Sequence, residues 1–133
     1  MYISEQFETN SDDGVLVSAY LKPSFEKVID GSFCWDYFFR FENNSDDDII
    51  LLSKRLSVID AKGQTTSVNY NGFKGQLPEL IPGEEFEDDG YITSKTSAIL
   101  KGFCTIRIGD TIKDVELPIM CLIANDNKAW VIN

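Results

Sequence analysis

The sequence predicts an all-β fold, an antiparallel β-sandwich of about seven strands, from three features. Turn-forming residues recur at short intervals, and the segments between them alternate apolar and polar side chains. No long segment shows the 3.6-residue period of an amphipathic helix. A chain of 133 residues is long enough for one domain, and this many strands cannot form one sheet with a single dry face. Two packed sheets are therefore expected.

The strands are bounded by turn residues in chain order. The first follows the turn at 12–14, and two hairpins are expected around the turns at 44–48 and 60–63. Residues 24–29 fit either a short strand or a helical turn. The predicted strands are 14–21, 34–43, 49–59, 64–70, 84–88, 98–108 and 112–123.

Alternation within these strands predicts which side chains enter the core. Every second residue of a half-buried strand points inward, so apolar residues two apart share a face. In the third predicted strand Lys54 interrupts the apolar face. The predicted inward residues are Trp35, Tyr37, Phe39 and Phe41; Ile50, Leu52, Leu56 and Val58; Leu100, Cys104, Ile106 and Ile108; and Val115, Leu117, Ile119 and Cys121.

The domain organisation follows from these strands. An N-terminal segment (1–13) precedes a sandwich domain (14–123), and a C-terminal tail (124–133) follows it. The architecture expected is immunoglobulin-like or fibronectin type III-like, without the disulfide of antibody domains.

Charge excludes several partner classes. The net charge of −10 repels DNA and anionic membranes, so neither nucleic acid nor membrane is an expected partner.

The first residues lack the basic and apolar regions of a signal peptide, and no apolar run approaches the ~20 residues that span a bilayer. A cytoplasmic location is predicted.

No catalytic, metal or cofactor site is predicted. There is no histidine for a catalytic triad, and the three cysteines form no CxxC pair, so they are expected to be free core thiols. The acidic runs at 46–48 and 84–89 lack the alternate spacing of a calcium loop. They are expected to be a solvated loop and a charged, exposed strand edge. The protein is predicted not to be an enzyme.

The candidate binding site is the connection at 70–84, which is punctuated by glycine and proline and carries apolar residues between them. Long loops in small domains are usually functional or packed on themselves. Phe73, Leu77 and Ile81 are predicted as apolar anchors, and Lys74 and Glu79 as their polar rim. The predicted binding residues are Tyr70, Gly72, Phe73, Lys74, Gly75, Leu77, Glu79 and Ile81.

The chain resembles the ApaG-like domain family through an ordered series of motifs. The pieces are YFFRF at 37–41, LLSKR at 51–55 followed by Asp60 and Gly63, the pattern GxxGQxPxLxPGExF at 72–86, and VELPI at 115–119. Tyr70 stands where the family's GxGxxG loop has its first glycine, and Asp88 stands where an aromatic residue is usual.

The resemblance implies a fibronectin-type sandwich, often dimeric, with no established enzymatic activity. It also implies an association with divalent-cation homeostasis, a suspected phosphate or nucleotide site, and a partner-recognition role in eukaryotic members. We therefore predict a non-enzymatic module that binds a protein partner through the loop 70–84, with a homodimer as a further possibility. The alternative is a binder of a small anion at Gly72 and Gly75, or of a divalent cation.

Overall fold

Ten β-strands form the fold of residues 6–24 and 31–124, the part of the chain that the computed structural model describes. No helix that could cross a bilayer occurs within these residues. The predicted segment at 24–29 beyond Ser24, and the tail from 125 onwards, lie outside the described residues. The strands are β1 (Gln6–Asp12), β2 (Val15–Pro23), β3 (Phe33–Asn43), β4 (Ile49–Asp60), β5 (Thr65–Asn71), β6 (Glu79–Leu80), β7 (Glu85–Ser94), β8 (Ala98–Ile108), β9 (Thr111–Glu116) and β10 (Met120–Leu122).

The strands form two antiparallel sheets, which confirms the predicted sandwich. The first sheet has the order β1-β2-β3-β7. The second has the order β10-β8-β4-β5, with β6 also paired to β4 and β9 also paired to β8. The hairpin predicted around residues 60–63 is present, because β4 and β5 pair directly. The hairpin predicted around residues 44–48 is not formed, because β3 and β4 belong to different sheets and the turn connects the two layers.

The core lies between the sheets and is rich in aromatic side chains from β3. Trp35, Tyr37, Phe39 and Phe41 are at most 3% exposed, as their alternation predicted. The rings of Tyr37 and Phe39 pack against each other at a tilted angle, with their centroids 5.2 Å apart. Aromatic side chains bury the largest apolar areas, so this strand contributes much of the hydrophobic stabilisation.

The inward face of β4 differs from the prediction at its beginning. Ile49 and Leu51 are fully buried, whereas Ile50 and Leu52 are only partly buried. The register with β8 shifts between Leu51 and Ser53, at a β-bulge. The extra residue in a bulge reverses which side chains point inward. The prediction continued the alternation of Leu56 and Val58 towards the N-terminus, and it therefore chose the wrong face at residues 49–52.

The last predicted strand is interrupted, and this corrects two predicted core residues. Residues 117–119 belong to no strand, and they separate β9 from β10. Pro118 has no N–H to donate to a strand ladder, so the chain leaves the sheet there and returns in the opposite phase. Ile119 is 61% exposed and Cys121 is also exposed, while Met120 and Leu122 are buried.

Two of the three thiols lie where the sequence predicts. Cys34 and Cys104 are buried, Cys121 is exposed, and none of the three is in a disulfide. The prediction of three core thiols is therefore wrong for Cys121 alone.

Strand β1 is an element that sequence patterning missed. It pairs with β2 along its whole length, although most of its side chains are exposed. Such a strand buries too few apolar residues to show a clear alternation. Strand β7 also extends to Ser94, six residues beyond the predicted end at 88.

Candidate binding surfaces

The loop 70–84 begins with a tight hairpin turn. Phe73 and Gln76 exchange two backbone hydrogen bonds, of 2.7 and 3.0 Å. Lys74 and Gly75 between them both have positive φ, +55° and +82°, the conformation of a type I′ turn. Gly72 also has a positive φ, and a Cβ there would lie 2.7 Å from the carbonyl oxygen of Gln76. The GxxG pattern therefore encodes a turn.

The second half of the loop is attached to the β-sandwich. Strand β6 pairs with Ile49 and Ile50 of β4. It ends in a turn at residues 81–84 in which Glu84 N donates to Ile81 O at 3.0 Å. The buried Asn43 side chain donates to Leu80 O at 2.8 Å, and Gly83 N donates to Asn43 O at 2.7 Å. These bonds hold the loop backbone in one conformation.

The predicted anchors of this loop separate into exposed and buried side chains. Leu77 is 57% exposed and Ile81 is 54% exposed. Phe73 is 1% exposed, so the expectation of a surface anchor is wrong for this residue. Its ring packs edge-on against Phe41 and Phe86, at centroid distances of 5.6 and 5.9 Å. An aromatic ring next to a tight turn gains more from the core than from solvent.

The remaining predicted binding residues are distributed around the turn. Lys74, Gly75 and Glu79 are exposed, Gly72 is buried and Tyr70 is partly buried. Five of the predicted binding residues are exposed, and we call them the loop surface. They are Lys74, Gly75, Leu77, Glu79 and Ile81.

The turn does not present a free nest of amides to an anion. Gly72 N donates to Leu52 O at 2.9 Å, and the amides of Phe73 and Gln76 bond to each other's carbonyls. The Lys74 ammonium donates to Asp89 at 2.6 Å, and this hydrogen bond raises the pKa of Lys74. These three amides and the Lys74 ammonium are thus already engaged by protein acceptors, which leaves fewer donors for an anion.

A groove lies beside the turn, between the edge strands β5 and β7. Its volume is about 830 Å³, within the range of ligand-binding pockets. Thr66, Val68 and Tyr70 of β5 line one wall, and residues 88–94 of β7 line the other. The groove is the open side of the sandwich.

The opposite side of the sandwich is closed by side chains of β1. Gln6 accepts from Cys121 N at 3.0 Å and also donates to Cys121 O, while Asn10 donates to Glu116 O at 2.6 Å. Lys113 bonds to Asp12 at 3.1 Å and also pairs with Asp13. The two lateral sides of the molecule therefore differ: β1 bridges one, and the other is a groove.

A buried ion pair lies at one end of the groove. Lys54 and Asp88 are 5% and 3% exposed and form a hydrogen-bonded salt bridge. Lys54 also donates to Tyr37 Oη at 3.1 Å and lies 4.7 to 5.6 Å from the ring centroids of Tyr37, Tyr70 and Phe73. The aromatic faces and the carboxylate together offset the cost of burying the ammonium.

This pair corrects the interpretation of residues 84–89 as a uniformly exposed edge. Glu84, Glu85, Glu87 and Asp89 are exposed, but Asp88 points inward to Lys54. Alternation along β7 places it there, and the cation at 54 makes burial of the carboxylate possible. No group of three or more Cys, Asp or Glu side chains within the described residues is arranged to hold a metal ion.

Comparison with known proteins agrees with the motifs. A sequence model of the ApaG domain family matches residues 23–106. The ApaG protein of Anaeromyxobacter sp. strain K is 34% identical over 82 residues, which cover 62% of this chain and 64% of that protein. The ApaG protein of Mesorhizobium japonicum is 32% identical over 93 residues, 68% of this chain and 71% of that protein. The chain thus spans just under two thirds of the Anaeromyxobacter protein.

Solved structures give the same fold. The putative ApaA protein from Bordetella pertussis has a TM-score of 0.72 at 21% identity, over 84% of this chain and 94% of that one. A structural-genomics target aligns with a TM-score of 0.76 at 15% identity, over 86% and 90% of the two chains. At these identities the likeness concerns the fold, which is the fibronectin type III-like sandwich described above. With these matches and the motifs at 37–41, 51–55 and 72–86, the chain belongs to the ApaG domain family.

Proposed function

We propose that this protein is a non-catalytic module that binds a protein partner through the loop surface. The observation that carries the proposal is the exposure of two aliphatic side chains, Leu77 and Ile81, on a loop whose backbone is hydrogen-bonded at both ends. Exposed apolar anchors on a rigid support lose little conformational entropy when they bind. Lys74 and Glu79 surround them with charge, as in the polar rim of an interface.

The proposal includes the cytoplasm as the compartment. Cys34, Cys104 and Cys121 form no disulfide, and Cys121 is exposed. Free thiols persist in a reducing environment, whereas exposed ones tend to be oxidised outside it.

A pair of matched double variants tests the loop surface. Leu77→Ser with Ile81→Ser removes both anchors, and we expect recovery of the bound partner in affinity capture with quantitative mass spectrometry to fall at least tenfold. A tenfold loss corresponds to about 1.4 kcal/mol, which two anchors of an interface readily supply. The control, Ile112→Ser with Ile119→Ser, removes two aliphatic side chains of similar exposure, 58% and 61%, elsewhere on the surface.

The comparison between the two variants decides the outcome. Unchanged recovery with the loop variant, at an unchanged melting temperature, would refute the loop surface. Equal losses in both variants would show that general surface hydrophobicity, and not this loop, retains the protein partner.

A further inference from the structure

The outer edge of β5 is a row of backbone groups that no described strand covers. Gly72 N donates to Leu52 O and Asp60 N donates to Gln64 O, which places the hydrogen-bonded pairs of the β4–β5 ladder at every second residue. Thr66, Val68 and Tyr70 therefore bond to β4. The N–H and C=O groups of Thr65, Ser67, Asn69 and Asn71 point away from the sheet, and in residues 6–24 and 31–124 β5 pairs only with β4.

This edge lacks the features that normally prevent strand pairing. Proteins protect exposed edges with charged residues, proline or bulges. Strand β5 has the sequence TTSVNYN, with no charge and no proline, and its register with β4 is unbroken. By contrast, β7 across the groove carries the exposed Glu85, Glu87 and Asp89. Among the described residues β7 is also an edge strand, but its three exposed acidic residues make β5 the less protected of the two edges.

The groove next to this edge mixes apolar and polar side chains and carries no net charge, because its lining holds three lysines and three aspartates: Lys54, Lys74, Lys95, Asp60, Asp88 and Asp89. Val68, 39% exposed, and Ile92 face it from the two walls, and Leu56 and Val58 lie at its base. Its two lysine–aspartate pairs, Lys54–Asp88 and Lys74–Asp89, neutralise each other within the site. The net charge of the groove lining is zero although the whole chain carries −10, so its electrostatics favour an uncharged occupant whose aliphatic side chains can contact Val68 and Ile92.

The geometry points to a second binding mode: an extended, uncharged segment of a partner polypeptide adds as a strand to the free edge of β5. Its backbone bonds to the outward groups of Ser67 and Asn69, and its alternate aliphatic side chains enter the groove against Val68 and Ile92. Seven residues of β5 give an edge of about 23 Å, enough to pair with a segment of similar length. This extends the proposed function to a surface distinct from the loop surface.

The test uses the whole chain and a defined probe. Random linear nonapeptides displayed on phage are selected on the full-length protein, and the most enriched sequence is synthesised with blocked termini. We expect an uncharged peptide with aliphatic residues at alternate positions. On binding it should slow hydrogen exchange of the Ser67 and Asn69 amides at least tenfold, because those amides become hydrogen-bonded.

Two variants at one position separate the backbone from the side chain. Asn69→Pro removes an outward N–H without removing a β4 bond, and we expect peptide affinity to fall at least tenfold. Asn69→Ala keeps that N–H, and affinity should change less than twofold. If Asn69→Pro does not fold, the same peptide N-methylated at successive positions tests the bond: alternate positions should abolish binding.

Several results would overturn the inference. These are failure to enrich any peptide, equal affinity of the two Asn69 variants, or exchange protection confined to residues 77–81. A wild-type dimer in sedimentation that Asn69→Pro converts to monomer would assign the edge to a second copy of the chain instead. The Leu77→Ser/Ile81→Ser variant should keep full peptide affinity, so failure of the loop surface and failure of the β5 edge are separate results.

Discussion

Lys54 shows how one side chain can have a different role from that suggested by its position in the sequence. Lys54 interrupts the apolar, inward face of β4, and a lysine buried there would destabilise the fold if it were unpaired. In the structure Asp88 and three aromatic rings surround its ammonium, including Tyr70 of the predicted site. The residue thus belongs to the core and also borders the groove.

Removing one member of this pair should be costly. We expect Asp88→Ala to lower the free energy of unfolding by about 3–5 kcal/mol, because it leaves a buried ammonium without its counter-ion. The double variant Lys54→Met with Asp88→Leu should recover most of that loss, since it replaces both charges with apolar groups. Urea denaturation of the three proteins measures both values. A loss below about 1 kcal/mol for Asp88→Ala would contradict burial of the pair.

For individual residues, the sequence predicts burial where it follows the two-residue period of a strand. It misses burial that depends on a contact with a residue distant in the sequence. The four inward aromatics of β3 were predictable from alternation. Burial of Phe73 and Asp88 was not, because each depends on a partner distant in sequence, Phe41 and Lys54 respectively. Pairing across such separations is a property of the fold.

Strand β1 shows, among the elements, how a weakly patterned segment is retained. Few of its side chains enter the core, so its attachment rests on pairing with β2 and on side-chain bonds to β9 and β10. Such an element is expected to open locally without unfolding the rest.

Removing these three side-chain bonds should loosen β1 alone. In the variant Gln6→Ala with Asn10→Ala, hydrogen exchange of the β1 amides bonded to β2 should speed up severalfold, while β3 and β8 amides keep their rates. Each lost bond is worth about 0.5–1.5 kcal/mol, too little to unfold the β-sandwich. Hydrogen exchange followed by NMR measures the rates. Uniform acceleration in all strands would show instead that β1 is part of the cooperative core.

The strands themselves were largely predictable, and their irregularities were not. Seven segments were located because turn residues and alternation agree. The bulge at residues 51–53 and the break at Pro118 each reverse the alternation, and a pattern count continues through them. Proline in a strand pattern is the one signal that could have located the break between β9 and β10.

At the scale of the whole molecule, two buried groups with raised pKa values make the free energy of unfolding depend on pH in the alkaline range. Burial raises the pKa of the Cys104 thiol from 9.0 to about 12, with Asp88 adding to the effect and Lys54 opposing it. Burial also raises the pKa of Tyr37 well above its ordinary value. In both cases the folded protein keeps a proton that the unfolded chain releases, so stability is complete below about pH 9 and falls as pH rises.

The urea midpoint should therefore decrease between pH 9 and pH 12. Cys104→Ala should be less stable than the wild type at pH 8 because of the cavity it leaves. Its midpoint should decrease less steeply above pH 9, since it has lost one of the two linked groups. Parallel curves for the two proteins would show that ionisation of Cys104 is not linked to unfolding.

The Lys54–Asp88 pair has a consequence for how this protein can vary. Its members are separated by 34 positions in the chain, and removal of either one leaves the other charge buried without a counter-ion. A mutation at one position is tolerable only beside a compensating mutation at the other. We therefore expect positions 54 and 88 to covary among related sequences. A substitution at one of them is expected together with a compensating substitution at the other.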